Sequence, residues 1–412
     1  MKRECIFFNM LQEMEKSGIS LLTVKKRLKF RNTLYLLLPV FLICFCFRME
    51  SIVASENLFS LENVKIDKQT LRPGEEINIS FRLTEDAKTT IRLYSPDYDV
   101  VRTLMDRQKR PAGTNNAVWD GRDDAGNLVP DEAYLVNITA EGPSGKKVTY
   151  DPTNHSGGEI LDIQIDRIEE LKGKYNIHYS IPSPSRINIR AGIHNGPLLK
   201  TVVDWRPFPA GDYVQPWDGL DETRQIQVLE ELGHVIYIRG FLLPENSIIV
   251  EGSSGDYQKY QRNVQPRVLP GQNSLSYQSV REEALMRDRE RISPDYLVRR
   301  RFNVSPKFTV FHGSEESVDL PLAERPITNV SGDFGFTLEV AAESIDNFNE
   351  SRYEIVVFAD NQRFDEEEQA YTPYTYTLDT TRLSNGEHDI AINLSSITGQ
   401  VGCYCFRIKV EN

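Results

Sequence analysis

The chain has 412 residues, 40% of them hydrophobic and 26% charged, an ordinary globular composition with room for roughly three domains of about 100 to 150 residues. A formal net charge of −12 excludes nucleic-acid binding as the main role, because neutralising phosphates needs a surplus of Lys and Arg. The same charge keeps a soluble chain dispersed.

The N-terminal segment is the one strongly basic region: Lys25, Lys26, Arg27, Lys29 and Arg31 lead into a weakly polar to apolar run from Thr33 to Phe47. That run is short of the ~20 residues a spanning helix needs and suits the apolar core of a secretory signal. Small residues in Ile52-Val53-Ala54-Ser55 offer cleavage after Ala54 or Ser55. The basic region before the run is long, so translation from Met10 or Met14, or retention of residues 33–47 as an uncleaved anchor with its basic side in the cytoplasm, stays open. After cleavage only Cys403 and Cys405 of the five cysteines remain. At i and i+2 of a strand they share a face, with Cα atoms ~6.6 Å apart, at the outer limit for a disulfide; small buried side chains are the alternative.

From Leu58 to Ala140, short alternating runs are split by turn residues. Ile77-Asn78-Ile79-Ser80-Phe81-Arg82-Leu83 and Thr90-Ile91-Arg92-Leu93-Tyr94 have period two, and Ala133 to Ile138 closes the unit. Arg72-Pro73-Gly74-Glu75 and Asp123 to Asn127 are turns by composition. The plan returns from Ile160 to about Pro244, and a single offset of 98 carries Trp119-Asp120-Gly121 onto Trp217-Asp218-Gly219, Asn78-Ile79 onto Asn176-Ile177, Ile91-Arg92 onto Ile189-Arg190 and Ala112-Gly113 onto Ala210-Gly211. One offset fitting four separated places marks a repeated, domain-sized β unit.

Residues 251–305 change texture, with Gly252-Ser253-Ser254-Gly255, many Gln and Arg, and a stretch from Val280 to Ile292 too charged for a core helix; they read as a polar, partly disordered linker. A third unit shows strand-like segments at Phe334–Val340, Tyr353–Phe358, Tyr374–Leu378, Ile390–Leu394 and Phe406–Val410. The domain reading is therefore 1–55 export signal or anchor, 56–150 first unit, 151–250 divergent second unit, 251–305 linker and 306–412 third unit. The expected fold is all-β: tandem Ig-like or fibronectin-like β-sandwiches behind an N-terminal hydrophobic signal or anchor helix.

The stretch Ala117–Val129, with Trp119-Asp120-Gly121, the acidic turn holding Gly126, and then Ala133-Tyr134, resembles the Ig-like module of the flagellar hook-capping (FlgD) family. That family's pattern is a Trp-Asp-Gly, an acidic turn with Gly and a Gly-x-Tyr strand, and Glu132-Ala133-Tyr134 stands here in place of the last. The resemblance covers residues 58–140 well and 160–244 loosely. Leu378 to His388 and the terminal Ile408-Lys409-Val410-Glu411-Asn412 resemble bacterial Ig-like domains of surface proteins. Both resemblances imply a module that holds or binds. Trp119, Asp120, Gly121, Gly126, Tyr134, Trp217, Asp218 and Gly219 are then its structural motif, with the indoles as core anchors; exposed sugar-stacking indoles are the competing reading.

Other chemistry reads weakly. Asp120, Asp123, Asp124 and Asn127 suggest a calcium loop but lack the Glu that would complete an EF-hand; turn chemistry alone explains the cluster better. The acidic run through Asp360, Asn361 and Asp365–Glu368 has the same ambiguity. The six histidines, His155, His178, His194, His234, His312 and His388, lack zinc spacing and read as surface or turn residues. No catalytic residue, cofactor or metal is assigned. The expectation is a non-catalytic exported bacterial envelope protein serving as a scaffold, spacer or adhesion module, with a protein or glycan partner. It would meet a membrane only through its N-terminal segment. A carbohydrate-binding accessory protein, a hook-assembly-like protein and an unrecognised hydrolase are the alternatives.

Overall fold

A computed structural model describes residues 59–412 apart from 97–98, 254, 258, 261–304, 313–326, 351 and 397–398. The apolar run over 33–47, its cleavage region and the charged stretch over 280–292 lie outside the described residues. Among the described residues, no helix is long and apolar enough to cross a membrane.

The strands follow the period-two pattern of the sequence. In chain order they begin with β1 (Leu61–Ile66), β2 (Thr70–Leu71), β3 (Ile77–Leu83), β4 (Ala87–Tyr94), β5 (Val100–Arg110), β6 (Gly113–Trp119), β7 (Ala133–Glu141) and β8 (Lys147–Tyr150). Next come β9 (Ile160–Ile163), β10 (Ile165–Leu171), β11 (Lys174–Ile181), β12 (Ser185–Ile193), β13 (Leu198–Phe208), β14 (Gly211–Trp217), β15 (His234–Leu242) and β16 (Ile248–Val250). The remainder are β17 (Phe308–Phe311), β18 (Thr328–Val330), β19 (Asp333–Val340), the short helix α1 (Ile345–Glu350), β20 (Tyr353–Ala359), β21 (Gln362–Glu367), β22 (Tyr374–Asp379), β23 (Gly386–Ser396) and β24 (Val401–Val410).

Six sheets pair face to face. In the first sandwich, β1-β3-β6 packs on β2-β16-β7-β4-β5, with β8 on β7. Ile77, Ile79, Phe81 and Leu83 of β3 point inward at alternate positions and meet Ile91, Leu93, Val136 and Ile138 in one core. The second sandwich sets β10-β11-β14 against β13-β12-β15-β9. The order 5-4-7 thus returns as 13-12-15, and 1-3-6 as 10-11-14. The offset of 98 holds through four consecutive strands, β3 to β6 against β11 to β14, and extends to backbone detail: Arg107 and Trp205, 98 apart, both take positive φ (47° and 49°) at a bulge. In the third, β17-β19-β22 faces β18-β24-β23-β20-β21, with β18 parallel to β24.

One strand leaves its place in the sequence order. β16 follows the second sandwich, yet Ile249 and Val250 pair parallel with Thr70 and Leu71, and Ile248 pairs antiparallel with Tyr134. Ile248 and Val250 belong to the first core. The stretch just before β16 is held there as well: the Asn246 side chain accepts from Ile66 N (3.3 Å) and donates to Val64 O (3.1 Å) and to the Tyr150 hydroxyl (2.7 Å). The chain therefore makes the second sandwich as an excursion between two edges of the first. Ile248→Ala should cost about 2–5 kcal/mol, the usual range for a buried Ile truncation. Hydrogen exchange should show the loss in the amides of β7, in the first sandwich, rather than in β11 and β14.

Candidate functional site

The repeated motif builds the same turn twice. Trp119 is fully buried and Trp217 nearly so, and each indole N–H donates to the carbonyl three residues on, Arg122 O and Leu220 O, both at 2.9 Å. Asp120 and Asp218 accept from the backbone N–H two residues later (3.2 and 3.1 Å). Gly121 and Gly219 sit at φ +73° and +79°, and a Cβ on Gly219 would come within 2.6 Å of the Tyr175 ring, so the left-handed turn has no room for another residue. Gly126 also takes positive φ (87°). Tyr134 packs edge-on to Trp119 with ring centroids 5.4 Å apart and donates its hydroxyl to Pro130 O (2.9 Å). Both indoles face the cores, which leaves no ring face for sugar stacking.

The sequence reading missed that a second acid of the motif repeats. Asp123 and Asp221, again 98 apart, are buried and cage their turns: Asp123 accepts from Ala125 N and Asn127 N, and Asp221 from Thr223 N, Gln225 N and Ile226 N. Burial pushes the Asp221 carboxyl above its ordinary range, against the pull of those amide bonds. A carboxylate so occupied is a turn former. The shared spacing from the Trp was the signal available in the sequence. Both turns also hook onto the same strand position, with Asp124 N donating to Val101 O and Glu222 N to Leu199 O.

Each turn then receives a later part of the chain. The Tyr260 hydroxyl donates to Asp123 (3.3 Å), and Gly252 N and Ser253 N donate to Asp131 (3.0 and 2.6 Å). The described start of the stretch read as a linker is thus bonded to the first sandwich. At the second turn, Thr223 Oγ1 donates to Cys405 O (2.7 Å) and accepts from Cys405 N (3.1 Å). Cys403 and Cys405 are free and buried. Burial holds both thiols well above their ordinary range, which suppresses the reactive thiolate.

The most informative surface is the outward face of β12. Its alternation places Ile187, Ile189 and Ala191 in the core and Arg186, Asn188 and Arg190 on the other side, where solvent is expected, yet all three polar residues are buried. Arg186 donates to Trp205 O (2.9 Å) and forms a buried, two-pronged ion pair with Glu132 of the first sandwich, whose own Oε1 also accepts from Ala133 N. Asn188 donates to Val203 O (3.1 Å), and Arg190 reaches the third sandwich at Gly399 O (2.8 Å). Glu132 is the residue standing where the FlgD pattern has Gly. Nearby, the Asn393 amide accepts from Leu198 N and donates to Leu198 O, both at 2.8 Å, acting as a strand partner for the free edge of β13. Asn361 donates to Glu231 (2.8 Å), and Asp204 accepts from Ser305 N (2.6 Å).

Further corrections concern the third sandwich. His312 and His388 are buried rather than at the surface: His312 stacks on Phe406, and His388 Nδ1 lies 2.6 Å from Asp360 Oδ2. Asp360 and Asn361, at φ 48° and 65°, form the two-residue turn between β20 and β21. Asn385-Gly386, a dipeptide that favours a tight turn, does not join neighbouring strands; Asn385 instead bonds the backbone of Asn412, and Gly386 opens β23.

Two outcomes follow. Removing either member of the Glu132–Arg186 pair strands a buried charge, so Glu132→Ala should cost about 3–5 kcal/mol in urea unfolding, while Glu132→Leu with Arg186→Met should recover most of it. Asp204 is raised above its ordinary value by burial, outweighing the bond from Ser305 and the charge of Arg190. Its folded pKa therefore exceeds the unfolded one, and its contribution is full below the ordinary aspartate value of 3.8 and lost as pH rises through the folded value. Asp204→Asn should flatten the pH dependence of stability above that point and be no less stable than the parent at neutral pH.

With this geometry in hand, comparison with known proteins gives one family match: residues 67–144 match the FlgD Ig-like domain. No curated protein matches the chain. Similar solved structures include the fibronectin(III)-like modules of CbhA from Clostridium thermocellum, 11% identical over 85% of this chain and 94% of that one with a TM-score of 0.18. FlgD from P. aeruginosa is 18% identical over 30% of this chain and 89% of that one, TM-score 0.18. A tetra-tandem repeat from the extending region of a large adhesion protein is 10% identical over 86% and 74%, TM-score 0.18. Residues 67–144 are thus similar to the FlgD Ig-like domain, and the described architecture is all-β.

Proposed function

We propose that this is a non-catalytic, exported bacterial envelope protein whose sandwiches act together as a structural, scaffold or adhesion module. In this reading the second sandwich is a divergent second copy of the FlgD-type unit, supported by the constant offset of 98 through four strands and by the duplicated Trp-Asp-Gly-x-Asp turn. The third is a surface-protein type of Ig-like domain, attached to the second copy. The observation that carries the proposal is the buried outward face of β12, where Arg186 is bonded to the first sandwich and Arg190 to the third. Polar groups so placed hold neighbours in fixed register, which is what a scaffold needs.

Export is supported by the basic segment and the apolar run over 33–47. The partner is a protein or glycan of the envelope. Nucleic acid is disfavoured by the net charge of −12.

The test is fractionation of cells producing the C-terminally tagged full chain, with protease added to intact cells and to spheroplasts. The tag should be recovered outside the cytoplasm and become intracellular when residues 33–47 are deleted. A cytoplasmic tag in the parent chain would refute export.

A further inference from the structure

Both repeated indoles are buried, so any aromatic platform must lie elsewhere, and the third sandwich carries one. We propose that the cleft beside Tyr371 is a binding site for a neutral glycan. The segment Gln369-Ala370-Tyr371-Thr372 enters β22 under restraint on both sides: Ala370 N donates to Tyr353 O (2.8 Å), and Thr372 Oγ1 accepts from Val340 N (3.0 Å). Between these anchors the Tyr371 side chain stands out, 55% exposed. Its ring is fixed by an edge-on contact with Tyr374, centroids 4.9 Å apart at 82°. An exposed aromatic ring with its orientation already set has little rotamer freedom left to lose on binding.

The ring borders a cleft of about 640 Å³, within the range of small-ligand sites. The buried, stacked rings of Phe348 and Tyr353, centroids 5.2 Å apart, line it. Its rim carries Asn349, Arg352 and Gln369. The guanidinium of Arg352 is held by Glu368 O at 3.3–3.4 Å, whereas the side-chain amides of Asn349 and Gln369 make no hydrogen bond among the described residues. Each amide offers two donors and an acceptor.

This combination selects a class of ligand. A pyranose ring presents an apolar C–H face that lies on an aromatic ring, and hydroxyls at its edge that both donate and accept, which is what amides match. A peptide strand would want a free row of backbone groups, and an apolar helix would want a continuous greasy groove; the rim here is polar. The one charged residue lining the cleft, Arg352, lies 4.0 Å from the Glu368 carboxylate, so the rim carries no unpaired charge and the ligand is uncharged. The assignment does not depend on export, and the closing experiment reads it separately.

Isothermal titration of the purified full chain with cellohexaose, mannohexaose, chitohexaose and maltohexaose tests it. At least one should bind. Tyr371→Ala should weaken that binding by about tenfold or more, whereas Tyr371→Phe, which keeps the ring, should lose less. Because the ring is exposed, the urea midpoint of Tyr371→Ala should match the parent, which separates lost binding from lost folding. Failure of all four sugars to bind at about 10 mM, or binding that Tyr371→Ala leaves unchanged, overturns the proposal.

Discussion

Everything in the described structure depends on one constraint: a polar side chain on the outer face of a strand, once covered, must find a partner or it destabilises the fold. Strand β12 is where this constraint acts most strongly. Its inner face fills the second core in the usual way, while Arg186, Asn188 and Arg190 on its outer face are covered by neighbours. Arg186 is matched by a carboxylate from the first sandwich and Arg190 by a carbonyl from the third. Two junctions are therefore written on a single strand. The corresponding positions of the first sandwich, Lys88, Thr90 and Arg92, lie on β4 and none of them is buried.

The two Trp-Asp-Gly turns share one geometry. A Trp anchored by its N–H to a carbonyl three residues ahead, a left-handed glycine and two acids that cage the amides give a rigid turn in both sandwiches. The turns are equivalent in backbone and differ in what they receive. The first takes up Tyr260, and the second takes up the Cys405 backbone through Thr223. Glu132 is the counter-charge of Arg186. The ion pair itself specifies register more than it adds stability, because desolvating both charges offsets most of their attraction.

Much of this was legible in the residues. Period-two alternation located β3 and β4, because side chains on a pleated strand alternate between core and solvent, and alternation or β-branched content located β19, β20, β22, β23 and β24. The Trp-Asp-Gly turns were legible because their residue types are dictated by local backbone geometry. The place of β16 was not: Ile248-Ile249-Val250 is an apolar triplet that any open sheet edge would accept, and its partner edges lie over 100 residues earlier in the chain. The burial of His312 and His388 was also hidden, since a histidine's exposure depends on neighbours from other strands.

What the sequence alone determined is local: which segments are strands, where the chain must turn left-handed, and which residues, the Trp-Asp-Gly turns among them, recur at an offset of 98. These follow from side-chain alternation and steric rules acting over a few residues. What only the tertiary structure decided is which polar faces stay wet. Arg186 and Arg190 read as solvent-facing because period two assigns a residue to a face, whereas burial of that face is set by whatever packs on it. That depends on Glu132, Gly399 and Asn393, residues of other sandwiches brought close by folding alone.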